Sequence, residues 1–314
     1  MNFYQSDIRK HINQKIYKKP IFEIEIFWKK YWWIRKDHKK LWVNLSWFQV
    51  LWISLPEKIS DNDLMKELKN IKKQFKSFKN IFFQLGFINE FSQPYYENRK
   101  KTQEYLEKFN LKPSLKENMP LATVIIDLTL PEEEIYKNFS KSAKRNIKKA
   151  IKNNLIFITA NKNDIDEFYN LWSSTAKLKW FNIYSKNTYI QLIEFLRENN
   201  CWDLYLAKKD NTIIAWSIEL NFGNYSYYLY GATNRDSLKI WGHYFLKREL
   251  FKLLKRKWVK KVDLLWVSPL WFENHHLKWV NQLKHSFWGK HIEYWGNYDL
   301  PLSLLYWLIK IFKK

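Results

Sequence analysis

The segment SKSAKRNIKKAIK, residues 140–152, holds a dense cluster of basic residues. Helical spacings of three and four residues place four of its cations on one side of a helix, namely Lys141, Lys144, Arg145 and Lys148. Ile147 and Ile151 lie on another side. Like charges this close repel one another, so a bound polyanion such as nucleic acid would relieve the repulsion. A solvated amphipathic helix explains the same pattern, and the segment alone does not decide between the two.

A second candidate for binding an anion is the loop between a predicted strand and a predicted helix in YLYGATNRDSLKIWGHYFLKREL. The loop contains Gly231, and the helix begins near Gly242. Free backbone amides at a helix N-terminus favour bound anions. If Trp241 stands for glycine, the backbone of this loop can approach a phosphate closely. Turns of this kind are common, so the motif is not specific.

Acidic and imidazole side chains indicate no further reactive centre. The candidate bases, which no spacing pairs with one another, are Asp263, Glu293 and Asp299. The histidines near the C-terminus match no metal-ligand pattern; they are His275, His276, His285 and His291. We therefore expect no metal and no cofactor, and the sequence contains no Ser-His-Asp or nucleophile-elbow signature.

Tryptophan occurs where glycine is expected. The chain has 18 Trp and only 6 Gly, whereas average usage of roughly 7% predicts about 22 glycines. Trp258 follows the basic end of a predicted helix, where a left-handed cap calls for Gly. Trp266, Trp271 and Trp288 lie at turns. We hypothesise that many of these residues are glycines of a genome that reads UGA as Gly; the alternative is a Trp-rich protein.

Size and charge allow two domains and an anionic partner. The chain has 314 residues, a net charge of +23 and a pI near 9.7, which favours nucleic acid, pyrophosphate or an anionic membrane face. Cys201 is the single cysteine, so no disulfide framework is expected. Without a leader or a membrane-spanning run, we expect a cytoplasmic protein. The segment PLSLLYWLIKIFKK is amphipathic, so it can rest on the inner face of a membrane or pack on the first domain.

The order of predicted elements is mixed α and β, twice over, which indicates an α+β fold with two domains of similar plan. In the first series we predict strands at 21–27, near Ile34, at 43–53 and at 81–87, and helices at 3–15, 63–78 and 97–110. In the second we predict strands at 121–130, 155–160, 204–210, 211–222, 225–234 and 262–267, and helices from 131 to 154, at 164–174, 186–199 and 242–257. Residues 258–301 read as strand, loop, short helix, loop and strand.

These segments together resemble the FemAB family of aminoacyl-tRNA-dependent peptidyltransferases. The matching motifs run in order along nearly the whole chain: FYQS (3–6), SKSAKRNIKKA (140–150), STAKLKWF (174–181), TIIAWSIEL (212–220), YYLYGAT (227–233), KRKWVKKVDLLWV (255–267), LKHSFWG (283–289) and YWGNYDLPL (294–302). The family pattern has Gly where this chain has Trp180, Trp216, Trp258, Trp266 and Trp288, and Trp241, Trp271 and Trp279 are further candidates.

The resemblance implies two tandem GNAT-like domains packed together, with mixed sheets flanked by helices. We expect the first domain at residues 1–118, joined by the C-terminal tail 297–314, and the second at 119–296. It also implies an aminoacyl-tRNA donor and, as acceptor, a stem-peptide amine of lipid II or of a UDP-linked muropeptide. The product would be an interpeptide bridge of peptidoglycan, and DNA is not an expected partner.

Site residues carry over unevenly. Lys284 lies at the family's Phe-Lys position, although Leu283 replaces the Phe, and is expected to stabilise transition-state charge or bind the acceptor. The residues expected beside the acceptor are Tyr228 and Tyr230 in the aromatic strand, Lys10 or His11 near the N-terminus, and Lys177 or Lys179. The two lysines flank Leu178, where the family pattern has an Arg. The helix 140–152 is expected to bind tRNA. Asp263 is the residue we choose as base.

Two other functions remain open on the sequence. One keeps the fold and changes the donor to an acyl-CoA, which would transfer an acyl group without charged tRNA. The other is a non-catalytic RNA-binding or membrane-binding protein that uses the +23 charge; it predicts steeply salt-dependent RNA binding and no product.

Overall fold

The structure, a computed structural model, describes residues 6–40, 43–56, 59–77, 79–114 and 117–312. The chain divides into two compact units. Unit 1 comprises residues 1–122, 269–273 and 292–314, and unit 2 comprises residues 123–268 and 274–291. Among the described residues, none of the helices is long and apolar enough to cross a membrane.

Unit 1 is a mixed sheet covered by helices. Its strands are β1 (Ile21–Ile26), β2 (Lys29–Lys40), β3 (Val43–Ile53), β4 (Asn80–Glu90), β5 (Lys112–Pro113) and β12 (Lys290–Pro301). They pair in the order β1-β2-β3-β4-β12, with β5 also on β12, and only the β3–β4 pair is parallel. The helices are α1 (Asp7–His11), which continues as a π-helical turn, α2 (Asp61–Phe75), α3 (Tyr95–Lys108) and α10 (Leu305–Phe312).

Helix α2 shows why this unit folds as it does. The Ser60 hydroxyl accepts a hydrogen bond from the Asp63 amide and so caps the helix. Spacings of three and four residues then place four apolar side chains on one face, where they are buried; these are Leu64, Leu68, Ile71 and Phe75. They pack with the apolar side chains of β3 and β4, including Phe48 and Phe83. FYQS, the first motif of the family resemblance, lies mostly outside the described residues.

Unit 2 contains the second mixed sheet, in the order β6-β11-β10-β9-β8-β7. Its strands are β6 (Ala122–Asp127), β7 (Ile156–Thr159), β8 (Trp202–Lys209), β9 (Thr212–Phe222), β10 (Tyr225–Thr233) and β11 (Lys261–Asp263). Its helices are α4 (Glu132–Asn138), α5 (Lys141–Lys152), α6 (Ile165–Lys179), α7 (Lys186–Glu198), α8 (Gly242–Arg256) and α9 (Lys278–His285). The β10–β11 pair is parallel, and α8 is the crossover between the two strands.

Two predicted elements of unit 2 were wrong. The helix expected from residue 131 to 154 is two helices, because Phe139 and Ser140 adopt extended ψ angles and the Ser140 hydroxyl caps α5 by accepting from the Ala143 amide. The strand expected at 262–267 ends at Asp263. Beyond it the chain turns through Leu265 (φ +48°) and Trp266 (φ +34°), two consecutive residues in the left-handed region.

Seven tryptophans among the described residues have left-handed backbones: Trp28, Trp52, Trp180, Trp241, Trp258, Trp266 and Trp288. Such conformations are uncommon for residues other than Gly and Asn. Four of these side chains are mostly in solvent, with 76% exposure for Trp28, 95% for Trp180, 87% for Trp258 and 61% for Trp288. Packing of the indoles therefore does not explain why the backbone is left-handed there.

The hydrogen bonds at these positions are those of glycine motifs. At the end of α6, the Trp180 amide donates to the Lys177 carbonyl (3.4 Å) and the Phe181 amide to the Ala176 carbonyl (3.1 Å), which is the Schellman pattern with its left-handed residue usually Gly. Trp258 ends α8 with the same pattern. Trp28 is the second residue of a two-residue hairpin turn between β1 and β2, a position that favours Gly.

Three other tryptophans expected to be glycines show no such backbone. Trp271 and Trp279 are not among the left-handed residues, and Trp279 lies within α9. Trp216 is 1% exposed in the middle of β9, with ring centroids 4.7 Å from Phe168 and 5.0 Å from Trp172. The backbone thus supports glycine at Trp180, Trp241, Trp258, Trp266 and Trp288, adds Trp28 and Trp52, and gives no reason for glycine at the other three.

Candidate active site

The sharp corner after β11 is the centre of the candidate site in unit 2. The buried Asp263 carboxylate accepts hydrogen bonds from the Thr123 hydroxyl and from the Leu265 amide (2.8 Å). These bonds hold Leu265 and Trp266 in the left-handed region, where their carbonyl oxygens accept hydrogen bonds from the Lys284 amine. Strained backbone of this kind is common at functional sites.

Lys284 reaches this corner from α9. Its Nζ lies 2.7 Å from the Leu265 carbonyl oxygen and 3.0 Å from the Trp266 carbonyl oxygen. Because the acceptors are main-chain atoms, the contact does not depend on whether residue 266 is Trp or Gly. Lys284 is only 8% exposed, so a long cationic side chain is held almost entirely inside the protein, which is rare without a specific role.

Burial sets the protonation of both groups at the corner. Desolvation, together with the nearby Lys247, lowers the pKa of Lys284 to about 7, and Asp263 and Glu219 oppose the shift. Desolvation likewise raises the pKa of Asp263 to about 6, against the effects of its two hydrogen-bond donors and of Lys284. An amine with such a pKa can gain or lose a proton near neutral pH, as acid–base chemistry requires.

The ring of Tyr228 lies between two lysines. The Lys284 Nζ is 5.3 Å from the ring centroid, and the Lys247 Nζ is 3.3 Å from it, within the range of cation–π contacts. Burial, and secondarily Glu219, raises the pKa of the Tyr228 hydroxyl, so the phenol stays protonated. Gly231 makes room for this ring, because a Cβ there would collide with the Tyr228 hydroxyl and lie 2.8 Å from the Trp216 carbonyl oxygen.

Lys247 belongs to a buried polar cluster that the sequence did not reveal. Its Nζ donates to the Glu219 carboxylate (2.7 Å) and to the Ser217 hydroxyl (3.0 Å), and Ser217 in turn donates to Glu219. Lys247 is 5% exposed, and Glu219 and Ser217 are fully buried. Desolvation lowers the pKa of Lys247, whereas Glu219 raises it. The sequence did contain a signal for this cluster. Ser217 and Glu219 are two residues apart in the apolar strand β9 and therefore share one face of it, and a buried carboxylate requires a cation nearby.

The structure separates the two tyrosines expected beside the acceptor. A β-bulge between Tyr228 and Tyr230 interrupts the pairing of β10 with β9, and bulges turn neighbouring side chains in new directions. Tyr228 joins the lysines, whereas the Tyr230 ring packs against Trp172 (6.1 Å) and Tyr189 (6.4 Å) of α6 and α7. Tyr228 is therefore the one that the structure brings to Lys284.

The remaining predicted residues lie on other elements. Lys177 is exposed near the end of α6, and the side chain of Lys179 lies outside the described ones. Lys10 and His11 are in α1 of unit 1, where Lys10 forms an ion pair with Glu23 (2.5 Å). Leu178, which takes the place of the family's Arg, lines a cavity of about 320 Å³ in unit 2 together with Thr175, Asn234 and Arg235.

Helix α5 presents the predicted basic surface. Ala143, Asn146, Ile147 and Ala150 form its buried face. Lys141, Arg145 and Lys148 are exposed and Lys144 is half-buried, with its amine donating to the Lys137 carbonyl (3.0 Å). Ile151, expected on the apolar side, is 45% exposed.

Comparison with known proteins agrees with this architecture. Residues 117–210 match the sequence profile of the FemAB family. The comparison with curated proteins gives no match. Among solved structures, FemX is similar with a TM-score of 0.70 and 13% identity, covering 100% of this chain and 95% of the FemX chain.

Two further structures are more distant. The C-terminal domain of a putative lysylphosphatidylglycerol synthetase from Agrobacterium fabrum has a TM-score of 0.51 at 9% identity, covering 90% of this chain and 84% of its own. A tandem GNAT protein from the clavulanic acid biosynthesis pathway has a TM-score of 0.47 at 9% identity, covering 86% of this chain and 83% of its own. The sequence of residues 117–210 is thus similar to the FemAB family, and the chain as a whole has a FemX-like fold of mixed sheets flanked by helices.

Proposed function

We propose that this protein is an aminoacyltransferase that moves an amino acid from aminoacyl-tRNA to the stem-peptide amine of a peptidoglycan precursor. The observation that carries the proposal is the buried Lys284 amine, held by two carbonyl oxygens beside Tyr228. The FemAB match supports a transferase of this class. The transferred amino acid would become the first or a later residue of an interpeptide bridge.

The reaction needs little more than positioning and charge. The ester that joins an amino acid to tRNA is already activated, so holding the acceptor amine against its carbonyl carbon supplies much of the rate. As the amine attacks, negative charge develops on the carbonyl oxygen, and a donor such as Lys284 in its protonated form stabilises it. Asp263 acts in this scheme by holding the corner through Leu265 rather than by touching the substrate.

Helix α5 is our candidate for binding the tRNA. Its sequence contains no carboxylate, and its exposed face carries Lys141, Arg145 and Lys148. Three or four cations along one helix match the phosphate spacing of a nucleic acid only loosely, so the surface would attract the donor without reading its sequence.

Arg235 is our candidate for the cation missing from position 178. Leu178 and Arg235 line the same cavity of unit 2, and Arg235 is exposed. A guanidinium can bind the pyrophosphate of a muropeptide precursor in a bidentate way. Lys177, one residue away from Leu178 and also exposed, would add charge at the rim. Lys10 and His11, in unit 1, remain a separate proposal for substrate binding.

We place the enzyme in the cytoplasm, where both substrates are made, with α10 touching the inner face of the membrane. Leu304 is 84% exposed, Leu308 52% and Trp307 40%, and Lys310 follows them. Apolar side chains flanked by a cation are typical of helices that lie on anionic lipid. Contact with the membrane would bring the enzyme to lipid-linked precursors.

The test is incubation of the purified protein with tRNA charged with labelled amino acids and a UDP-linked muropeptide, followed by the mass of the product. We expect the muropeptide to gain one amino-acid residue, and Lys284→Met to lower turnover by roughly 10²-fold or more. Lys278→Met is the matched control, because Lys278 is an exposed lysine of the same helix. Transfer from acyl-CoA instead of charged tRNA would refute the proposed donor.

A further inference from the structure

The amine of Lys284 has an unusual set of partners for a lysine. Two carbonyl oxygens accept from it, at 2.7 and 3.0 Å, and a ring face lies 5.3 Å away. A neutral amine has two N–H donors and one lone pair, whereas an ammonium has three donors and no lone pair. The two carbonyls satisfy both donors of the neutral form, which leaves its lone pair as the group able to accept a proton.

A second cation is built in next to this amine. The Lys247 Nζ lies 3.3 Å from the centroid of the Tyr228 ring, and the Lys284 Nζ lies 5.3 Å from the same centroid. The distance between the two nitrogens therefore cannot exceed the sum of these two distances. Lys247 donates a hydrogen bond to the Glu219 carboxylate, 2.7 Å away and fully buried, which favours the charged form of this lysine. A fixed cation at this range disfavours a second cation on Lys284.

Resting on the proposed function, we infer that Lys284 in its neutral form takes the proton from the acceptor ammonium, and that Lys247 with Glu219 is a positioning pair that keeps that form available. The charged and titratable groups facing Lys284 are Lys247 from α8, Glu219 from β9, Tyr228 from β10 and Asp263 from β11. Lys247 opposes the ammonium of Lys284, and the two carboxylates favour it.

Atoms and charges balance in this step. The acceptor ammonium gives one proton to the Lys284 Nζ and becomes a neutral amine. Its nitrogen lone pair attacks the ester carbonyl carbon, forming the C–N bond and a tetrahedral intermediate with a negative oxygen. A second proton moves from that nitrogen to the ester oxygen as the C–O bond to the ribose breaks. The products are the amide and uncharged tRNA, and the Lys284 ammonium then returns its proton to solvent.

The pH profile of Lys247 variants distinguishes this role from a purely structural one. Lys247→Met removes the cation and should move the midpoint of the acidic limb of the kcat/KM–pH profile up by about one pH unit. Glu219→Gln should move the same midpoint down by a smaller amount. Activity of Lys247→Met should fall about tenfold at pH 6 and recover above pH 8. The double variant Lys247→Met/Glu219→Gln removes both members of the ion pair and so leaves neither charge buried alone. The midpoint of its acidic limb should move to higher pH, because Lys247 has a larger effect than Glu219 on the pKa of Lys284.

A direct measurement separates this inference from the proposed function. Competitive acetylation with acetic anhydride at a series of pH values, read by mass spectrometry of the peptide that contains Lys284, reports its pKa without any substrate. We expect a value near neutrality in the wild type and a higher one in the double variant. Lys252→Met is the control, because Lys252 is on α8 and pairs with Glu132 (3.0 Å); it should leave the value unchanged.

The kinetic arm uses charged tRNA and the UDP-linked muropeptide, with thermal unfolding recorded for each variant. The inference is overturned if the wild-type amine titrates near its ordinary value, or if a folded double variant titrates like the wild type. Absence of transfer would refute the proposed donor and acceptor but not the positioning pair, which the acetylation data decide on their own.

Discussion

Replacing four exposed, left-handed tryptophans by glycine should stabilise the protein. The positions are Trp28, Trp180, Trp258 and Trp288, whose indoles are 61–95% exposed. Each left-handed residue with a Cβ costs roughly 1–2 kcal/mol, and glycine avoids this cost. Glycine also gains freedom in the unfolded chain, which offsets about 0.5–1 kcal/mol. The net gain is therefore about 0.5–1 kcal/mol per position, because an indole in solvent contributes little packing.

Over four distant sites the gains add to roughly 2–4 kcal/mol, a large share of a typical folding free energy of about 5–15 kcal/mol. For a chain of this size the melting temperature should rise by about 3–6 °C. Differential scanning calorimetry of the fourfold variant beside the parent measures it. The control is Trp172→Gly, which removes an indole that is only 7% exposed in the interior of α6.

The control should destabilise the protein by about 3–5 kcal/mol for the buried ring and by about 1 kcal/mol more for glycine within a helix. If the fourfold variant melts as far below the parent as this control does, the indoles are native residues and the glycine hypothesis is wrong. The gene offers a second test: we expect UGA codons at the four exposed positions and UGG at Trp172.

Three further predictions concern the site. Gly231→Ala should push the Tyr228 ring away from the lysines and lower kcat about tenfold or more, as measured by steady-state kinetics. It should also lower the melting temperature measured by calorimetry, because the new Cβ would lie 2.8 Å from the Trp216 carbonyl oxygen. The folded pKa of Asp263, about 6, lies above its unfolded value near 3.9. The stability that Asp263 contributes is therefore complete below about pH 3.9 and is lost as pH rises through about 6. In urea unfolding, the free energy of unfolding of Asp263→Asn should decline less over that pH range than that of the parent. The variant Lys141→Gln/Lys144→Gln/Arg145→Gln/Lys148→Gln, which replaces the cations of α5, should weaken tRNA binding. The slope of the logarithm of the binding constant against the logarithm of salt concentration should become shallower by about 0.7–0.9 for each phosphate that the helix no longer neutralises. Filter binding at several salt concentrations measures this slope.

Periodicity predicted most of the elements and therefore the fold. The apolar face of α2 and the alternating strands of both sheets follow directly from residue spacing. The break between α4 and α5 was missed because Phe139 continues the apolar pattern, while the stop depends on the Ser140 cap. The early end of β11 was missed because DLLWV reads as a strand, and a left-handed leucine at 265 contradicts every local preference.

The candidate site could be predicted only in part. Lys284 came from the resemblance, and spacing alone would not have chosen it among the chain's many lysines. Its partners at the corner are main-chain oxygens of Leu265 and Trp266, which no side-chain pattern encodes. Lys247 was hidden because charged residues on a helix are usually solvated, although it shares the apolar face of α8 with Leu250 and Phe251.

The corner that holds the Lys284 amine reverses the usual meaning of a conservative substitution. Its two oxygens are presented by backbone torsion angles, so a swap that keeps the hydrocarbon but stiffens the main chain, such as Leu265→Ile, would disturb the anchor. A change of side-chain chemistry that tolerates the left-handed region, such as Trp266→Asn, would preserve it. Relatives could therefore share this anchor without sharing a letter at either position, and its presence in them must be sought in torsion angles.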